Sequence, residues 1–328
     1  MNSPSIWRSS AGAEVLDALS MISHSEARQF RQCQRKWYFK YQLASWNSRD
    51  SYRREAFVLS KLQSLMAWRG SIVDKVVSTT LVEQLKRKRP VDADALVARA
   101  RVLYDGQREF ALRHRVREPD LRVGQHGDTF AAWYDVEYGA APDEAVLAAL
   151  WNDIEKSLRT AASMQELIAS LQTAKLVAQP RLSCDLGLLK VAANPDVVAI
   201  YPNNDLRIVD WKVHAFGLRA AKQQLTVYAG VLRAGGAPWL AVPPSPLPLD
   251  RITLTEAQLL NNEVHDYSVT EDDIDECFDE MFDIATEMEH AIADLDDPVR
   301  GIATVAVTPW VEQCDRCSYK RLCKEQTT

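Results

Sequence analysis

The sequence predicts a mixed α/β fold with a large helical part. Residues 91–175 are rich in Ala, Leu and Glu and poor in β-branched runs. From about residue 175, short β-rich segments follow one another with turn residues between them, and two amphipathic helical patterns then interrupt and close this region. Helices, then a meander, then a helix, strands and a last helix describe an α/β domain rather than a bundle or a sandwich.

The composition bounds the function. A chain of 328 residues with 47% hydrophobic and 26% charged residues is a globular protein with room for a sizeable core. No run approaches the ~18 apolar residues of a membrane span. Residues 1–20 lack the basic-then-apolar order of a signal peptide, so a cytoplasmic, thiol-reducing setting and no membrane partner are expected. The net charge of -6 makes no global case for nucleic acid. That case falls to local basic runs, "LKRKRP" at residues 85–90 and "RHRVR" at residues 113–117.

Residues 1–20 read as a flexible terminus. "SHSEARQFRQCQRKWYFKYQL" opens the first helix, with Ser23 and Glu26 as a capping box and Phe30, Cys33, Trp37 and Tyr41 on one face. A second helical region surrounds "WRGSIVDKVVSTTLVEQL", and residues 80–175 read as a helical insertion. "AKLVAQPRLSC", "LGLLKVAA", "PDVVAIY" and "LRIVDWKVH" predict four strands. A helix over 218–234, a Pro-rich loop over 235–248, two more strands ("DRITLTEAQLL", "NEVHDYSV") and a helix over 270–295 complete the order. On that last helix Ile274, Phe278, Met281 and Met288 share the apolar side.

The chemistry concentrates in "NPDVVAIYPNNDLRIVDWKVH". A three-residue loop over Pro202–Asn204 pairs Tyr201 with Asp205, and the antiparallel register then sets Asp196 opposite Asp210. Side chains alternate along a strand, so Lys212 shares the face of Asp210. Two carboxylates directly opposite each other destabilise a sheet unless a cation lies between them. Hard carboxylate oxygens suit Mg²⁺ or Mn²⁺, and a neighbouring Lys suits orienting a water or holding developing negative charge. The bland alternative is an ion-paired hairpin. Gln224 and Tyr228 stand four apart on the following helix, and Asp74 sits four residues after Gly70 where its helix offers another carboxylate.

Near the C-terminus, Cys314, Cys317 and Cys323 fall within ten residues. Three thiolates do not complete a four-thiolate site, and spacing alone leaves zinc and iron–sulfur both open. Cys184 and Cys277 read as small core residues. Trp37, Tyr38 and Tyr41 read as core rather than base-stacking groups. Arg28, Arg31, Arg35, Lys36, Lys320 and Arg321 offer a candidate phosphate rim around the cysteines.

These pieces together resemble the PD-(D/E)XK nuclease superfamily, in its RecB-like branch with a C-terminal iron–sulfur cluster, over residues 21–325. The resemblance implies a restriction-endonuclease-like core, a central mixed sheet flanked by helices, as a single domain over 21–328. Asp196, Asp210 and Lys212 stand on its signature positions, and Gln224 and Tyr228 on its Gln-x-x-x-Tyr motif. Where the family carries His after "RG", this chain has Asp74. By resemblance, Asp74, Asp196, Asp210 and the Trp211 carbonyl hold Mg²⁺ or Mn²⁺, and Lys212 serves the attacking water. Cys33 likewise becomes the fourth ligand, with Cys314, Cys317 and Cys323, of a [4Fe–4S] cluster that joins segment 309–325 to the N-terminal helix. The implied activity is exonuclease or flap-type cleavage of DNA ends. The implied partners are a separate helicase or proteins of recombination, repair or phage/CRISPR defence, since no G-x-x-x-x-G-K-[ST] occurs here. The rival expectation is a non-catalytic DNA-binding or assembly subunit, and Asp74 is the feature that favours it.

Overall fold

The computed structural model describes residues 21–118, 121–187, 189–213, 218–235, 247–293, 295 and 299–325. The expected flexible terminus (1–20), His214 and positions 236–246 of the Pro-rich stretch lie outside the described residues. Two compact units share the chain. The first gathers the segment up to His24, Val73–Arg99 and Asp153–Thr286; the second gathers Ser25–Ile72, Ala100–Asn152 and Glu287–Thr328.

The first unit carries the sheets. β1 (Ile22–Ser23), β4 (Lys190–Ala193) and β3 (Leu182–Asp185) form a three-stranded sheet in that order. β2 (Lys175–Ala178), β5 (Val197–Ile200), β6 (Leu206–Lys212), β7 (Ile252–Gln258) and β8 (Glu263–Tyr267) form a five-stranded sheet in chain order. Only the β6–β7 pair in that sheet is parallel. A parallel pair needs a crossover, and the helix Leu218–Arg233 lies between the two strands in sequence. β6 is central and almost wholly buried, which its run of Leu206, Ile208 and Val209 permits on both faces.

"AKLVAQPRLSC" is two strands, not one. Gln179 adopts a left-handed φ of 44° and Pro180 follows, so the chain leaves the five-stranded sheet after β2 and enters the other at β3. The helix Leu218–Arg233 buries Ala221, Leu225, Tyr228, Ala229 and Leu232, a stripe at helical spacing. Gly230 lets the helix Glu271–Ala293 approach closely: a Cβ there would lie 2.6 Å from Phe278 Cζ. Ile274, Phe278, Met281 and Met288 of that second helix are all buried, as their spacing requires.

The second unit is helical and aromatic at its centre. Phe39 stacks on Tyr319 at 5.1 Å, and Trp68 meets Trp133 edge-on at 4.6 Å. The single first helix expected through residue 41 is interrupted. It runs from His24 to Gln32, Cys33 is extended (φ -166°, ψ 112°), and a short helix restarts at Gln34 with Cys33 as its cap. Trp37 and Tyr38 are buried core, with Trp37 Nε1 donating to Glu26 at 3.0 Å. Among the described residues no helix is long and apolar enough to cross a membrane.

Candidate active site

The site is built on the β5–β6 hairpin of the first unit. Tyr201 N–H donates to Asp205 O at 2.9 Å, Asn204 takes the left-handed φ of 66° that closes the turn, and Val197 pairs with Val209. The paired register ends at Val197 and Val209, one step short of Asp196 and Asp210. Asp196 Oδ2 accepts the Trp211 backbone N–H at 2.8 Å, which ties the carboxylate to the neighbouring strand.

Alternation places Lys212 on the face of Asp210, and Lys212 Nζ lies 2.6 Å from Asp210 Oδ2. The ammonium also donates to Gln224 Oε1 at 3.2 Å, and Gln224 Nε2 donates to Tyr228 Oη at 2.5 Å. A continuous chain of polar contacts therefore runs Asp210–Lys212–Gln224–Tyr228, from the centre of the sheet to the crossover helix. The helix Leu65–Val76 supplies Asp74, whose two oxygens each accept from Gln179 Nε2 at 3.1 Å.

Electrostatics show how close the carboxylates are. Burial first, then the charges of Asp210 and Asp74, hold the Asp196 carboxyl well above its ordinary range. Burial raises Asp210 as well; Lys212 opposes the shift while Glu256 and Asp74 add to it. Asp74 is raised by burial, against its bond from Gln179 and the charge of Lys212. Burial and the charges of Asp210 and Asp196 push the Tyr228 hydroxyl up, so Tyr228 stays neutral.

Among the described residues no trio of His, Cys, Asp or Glu stands in a finished ligating arrangement. The physical reason is visible in the contacts: Asp210 is turned to Lys212, Asp196 to the Trp211 N–H and Asp74 to Gln179. The donor set nonetheless fits a hard dication. Three mutually repelling carboxylates in a buried place, with one ammonium beside them, are what such an ion relieves. Trp211 stands between Asp210 and Lys212 and is buried.

One carboxylate escaped the sequence reading. Glu256 on β7 is fully buried and lies in register with Asp210 across the parallel β6–β7 pair. Its Oε1 accepts from Gln258 Nε2 at 3.2 Å and its Oε2 from Tyr267 Oη at 2.8 Å. Asp210 and Glu256 are thus neighbours on two strands, and Asp196 stands immediately before β5. A Glu inside the apolar run "ITLTEAQ" is the only sequence signal, and it does not say which strand β7 adjoins.

The cysteines gather in the second unit. Cys33 Sγ accepts the Lys36 N–H at 3.4 Å, and Cys317 N–H donates to Cys314 O at 3.1 Å. Burial, with Cys33 and Cys323 nearby, pushes the Cys317 thiol up to about 11, and burial with the same two neighbours raises Cys314. All four of these cysteines are free thiols, and among the described residues they do not stand in a finished metal-holding group. Arg35 clamps this region, donating from Nε to Val305 O at 2.9 Å, from Nη2 to Ala303 O at 2.9 Å and from Nη1 to Cys323 Sγ at 3.7 Å. That use removes buried Arg35 from the expected phosphate rim. Arg31 is paired with Glu287, and Lys320 lies over the Tyr134 and Tyr138 rings. Cys184 and Cys277 are buried in the first unit, and burial pushes their thiols up to about 11 and about 12.

Residues 21–324 match the family model described as the PD-(D/E)XK nuclease superfamily. A search of curated proteins finds no match. The solved structure "Crystal structure of SSO0001" is 13% identical, with 70% of this chain and 97% of that one covered at a TM-score of 0.28, too loose an overlap to speak to fold or function.

Proposed function

Since the chain belongs to the PD-(D/E)XK nuclease superfamily, we propose that it is a metal-dependent DNA nuclease acting at the Asp196–Asp210–Lys212 site. The observation that carries this reading is the contact chain Asp210–Lys212–Gln224–Tyr228, with the Asp196 carboxylate accepting from the Trp211 N–H between Asp210 and Lys212. Asp74, Asp196, Asp210 and the Trp211 carbonyl would hold Mg²⁺ or Mn²⁺, which when bound polarises the phosphate and lowers the pKa of water. Lys212 holds an ammonium where an attacking water and the developing charge on phosphate need one. Gln224 restrains that ammonium, and the neutral Tyr228 hydroxyl restrains Gln224.

Within the superfamily we assign the chain to the RecB-like branch, as a cytoplasmic enzyme of exonuclease or flap type working on DNA ends. The partners in this reading are a separate helicase or proteins of recombination, repair or defence. Cys33, Cys314, Cys317 and Cys323 hold a [4Fe–4S] cluster; zinc on the same thiols is the alternative. Iron and acid-labile sulfide at about four each per chain, in protein purified without oxygen, are the expected outcome. One zinc and no iron would replace the cluster with a zinc site.

Cleavage of 5′- and 3′-labelled DNA in Mn²⁺ tests the activity. Asp210→Ala and Lys212→Ala are expected to abolish it while the fold persists, and undiminished cleavage by either variant refutes the assignment. Asp74 also supports a second reading, a DNA-binding or assembly subunit without catalysis. A metal titration separates the two: if Asp74 is a ligand, Asp74→Ala loses cleavage and Asp74→His regains part of it. A parent chain that cleaves nothing in either metal leaves the second reading standing.

A further inference from the structure

A second site lies in the helical unit, away in sequence from every residue of the carboxylate site. A cavity of about 890 Å³ opens among residues of the segments 46–61, 116–118 and 121–124 and Arg321. Its lining is cationic on a chain whose net charge is -6: Arg54, Lys61, Arg117, Arg122 and Arg321 face two acids, Glu55 and Glu118. Both acids are engaged. Glu118 accepts from His114 Nδ1 and from the Arg115 N–H, and Glu55 pairs with Arg321 at 3.6 Å. Arg117 is bound to buried Glu137 and serves the fold.

The remaining cations keep their charge for something else. Among the described residues no carboxylate is paired with Arg54, Lys61 or Arg122. Arg54 donates to the Ser48 and Arg49 carbonyls at 2.6 and 2.7 Å, which fixes its guanidinium without neutralising it. Lys61 lies 4.4 Å over the Phe57 ring, and burial with the Lys40 charge pushes its pKa down, the mark of a cation lacking a counter-charge. At the rim stands Trp46, 72% exposed, a large flat ring left in water. Fixed cations beside an open aromatic face match a chain of phosphates carrying unpaired bases. A duplex hides the faces of its bases, and an acidic polypeptide has no base to lay on the indole.

We propose that this groove binds a single-stranded nucleic-acid segment, its phosphates on Arg54, Lys61 and Arg122 and a base stacked on Trp46. The proposal rests on the nuclease reading only for its choice of polyanion. It also gives the helix Lys320–Glu325 two tasks: Arg321 reaches the groove, and Cys323 two residues later belongs to the thiol cluster.

The test uses the full chain in EDTA, so that nothing is cut, with fluorescein-labelled dT12 read by anisotropy across salt concentrations. Trp46→Ala is expected to weaken dT12 binding roughly tenfold, the scale of one lost base stack, and to leave an abasic 12-mer unaffected. Arg54→Glu and Arg122→Glu are expected to weaken both oligomers and to flatten the salt dependence by at least about one unit of slope each. A blunt duplex binds less tightly and ignores Trp46→Ala, and poly-glutamate does not compete. Parental affinity in all three variants overturns the proposal. So does equal competition by poly-glutamate with no effect of Trp46→Ala, which would make the groove an acidic-polypeptide site. Mn²⁺-dependent cleavage at saturating DNA, run in parallel, separates the two readings. Groove-dependent binding by a parent that does not cleave refutes only the nuclease, and a cleaving parent with groove-independent binding refutes only the groove.

Discussion

Asp210 and Glu256 face each other across a parallel strand pair, both buried, with Lys212 Nζ 2.6 Å from the first and, among the described residues, no cation paired with the second. Two carboxylates in neighbouring positions of a sheet interior repel, and the fold keeps them because Tyr267 and Gln258 donate to Glu256. Glu256 thereby adds negative potential directly behind the proposed metal ligands.

Glu256→Gln is therefore expected to raise the Mn²⁺ concentration needed for half-maximal cleavage by about tenfold, the usual scale for groups behind metal ligands. The maximal rate should change much less, because Gln keeps an acceptor for Tyr267. Glu256→Ala should also lower stability, by about 1–3 kcal/mol, since it strands buried Gln258 and half-buried Tyr267. An unchanged metal titration in Glu256→Gln would remove this residue from the site.

The raised carboxyls make a pH prediction whose sign is fixed. Asp196 and Asp210 have folded pKa values above the ordinary ~3.9 of an unfolded Asp. Their contribution to stability is full below that unfolded value and is lost as pH rises through the folded ones. Metal-free Asp196→Asn keeps an acceptor for the Trp211 N–H and loses the charge. Its melting temperature should exceed the parent's at pH 8, with the gap closing toward pH 5. Mn²⁺ should stabilise the parent more at pH 8 than at pH 5, and the variant hardly at all. A gap of constant size across that range would contradict the linkage.

Arg35 offers a test of the thiol region that does not depend on which metal it binds. Arg35→Met removes two charge-assisted bonds, to Val305 and Ala303, at roughly 1.5–3 kcal/mol each. Metal-free variant protein should melt lower and expose more thiols to a cysteine reagent than the parent, with Cys323 labelled first. Equal labelling would mean that the clamp does not order the segment.

Gly230→Ala separates packing from propensity. Alanine is the better helix former by about 1 kcal/mol, yet its Cβ would meet the Phe278 ring at 2.6 Å. Net destabilisation of roughly 1–3 kcal/mol is expected in denaturant unfolding, and Phe278→Leu in the same chain should recover part of it. A stabilised single variant would show that the two helices can separate at no cost.

What could be read in the sequence was local. The β5–β6 register through Val197 and Val209 followed from a three-residue loop, because turn length fixes strand pairing. The Gln224–Tyr228 contact followed from helical spacing. Glu256 did not emerge, because its place beside Asp210 depends on which strand adjoins β6 after a long crossover. The break at Cys33 was hidden by an unbroken apolar spacing through Phe30 and Trp37; the thiol's role as a cap on Lys36 is what interrupts it. The split after β2 carried a warning in Pro180, which a single strand through that position had to ignore. The groove was invisible for a different reason: its cations come from three stretches of chain far apart in sequence, and only "RHRVR" among the basic runs contributes a residue to its lining.

The alternation of the two units along the chain bears on how this protein can be dissected. Each passage between them, at 24/25, 72/73, 99/100, 152/153 and 286/287, falls inside a helix rather than in a linker. Neither unit corresponds to a stretch that a gene truncation could deliver whole. A start or stop codon at any of those borders would cut a helix in two and leave both halves of the molecule missing a piece. Fragments made to isolate the carboxylate site from the thiol site should therefore be recovered as insoluble or protease-sensitive material, and the two are better silenced by point substitution than by excision.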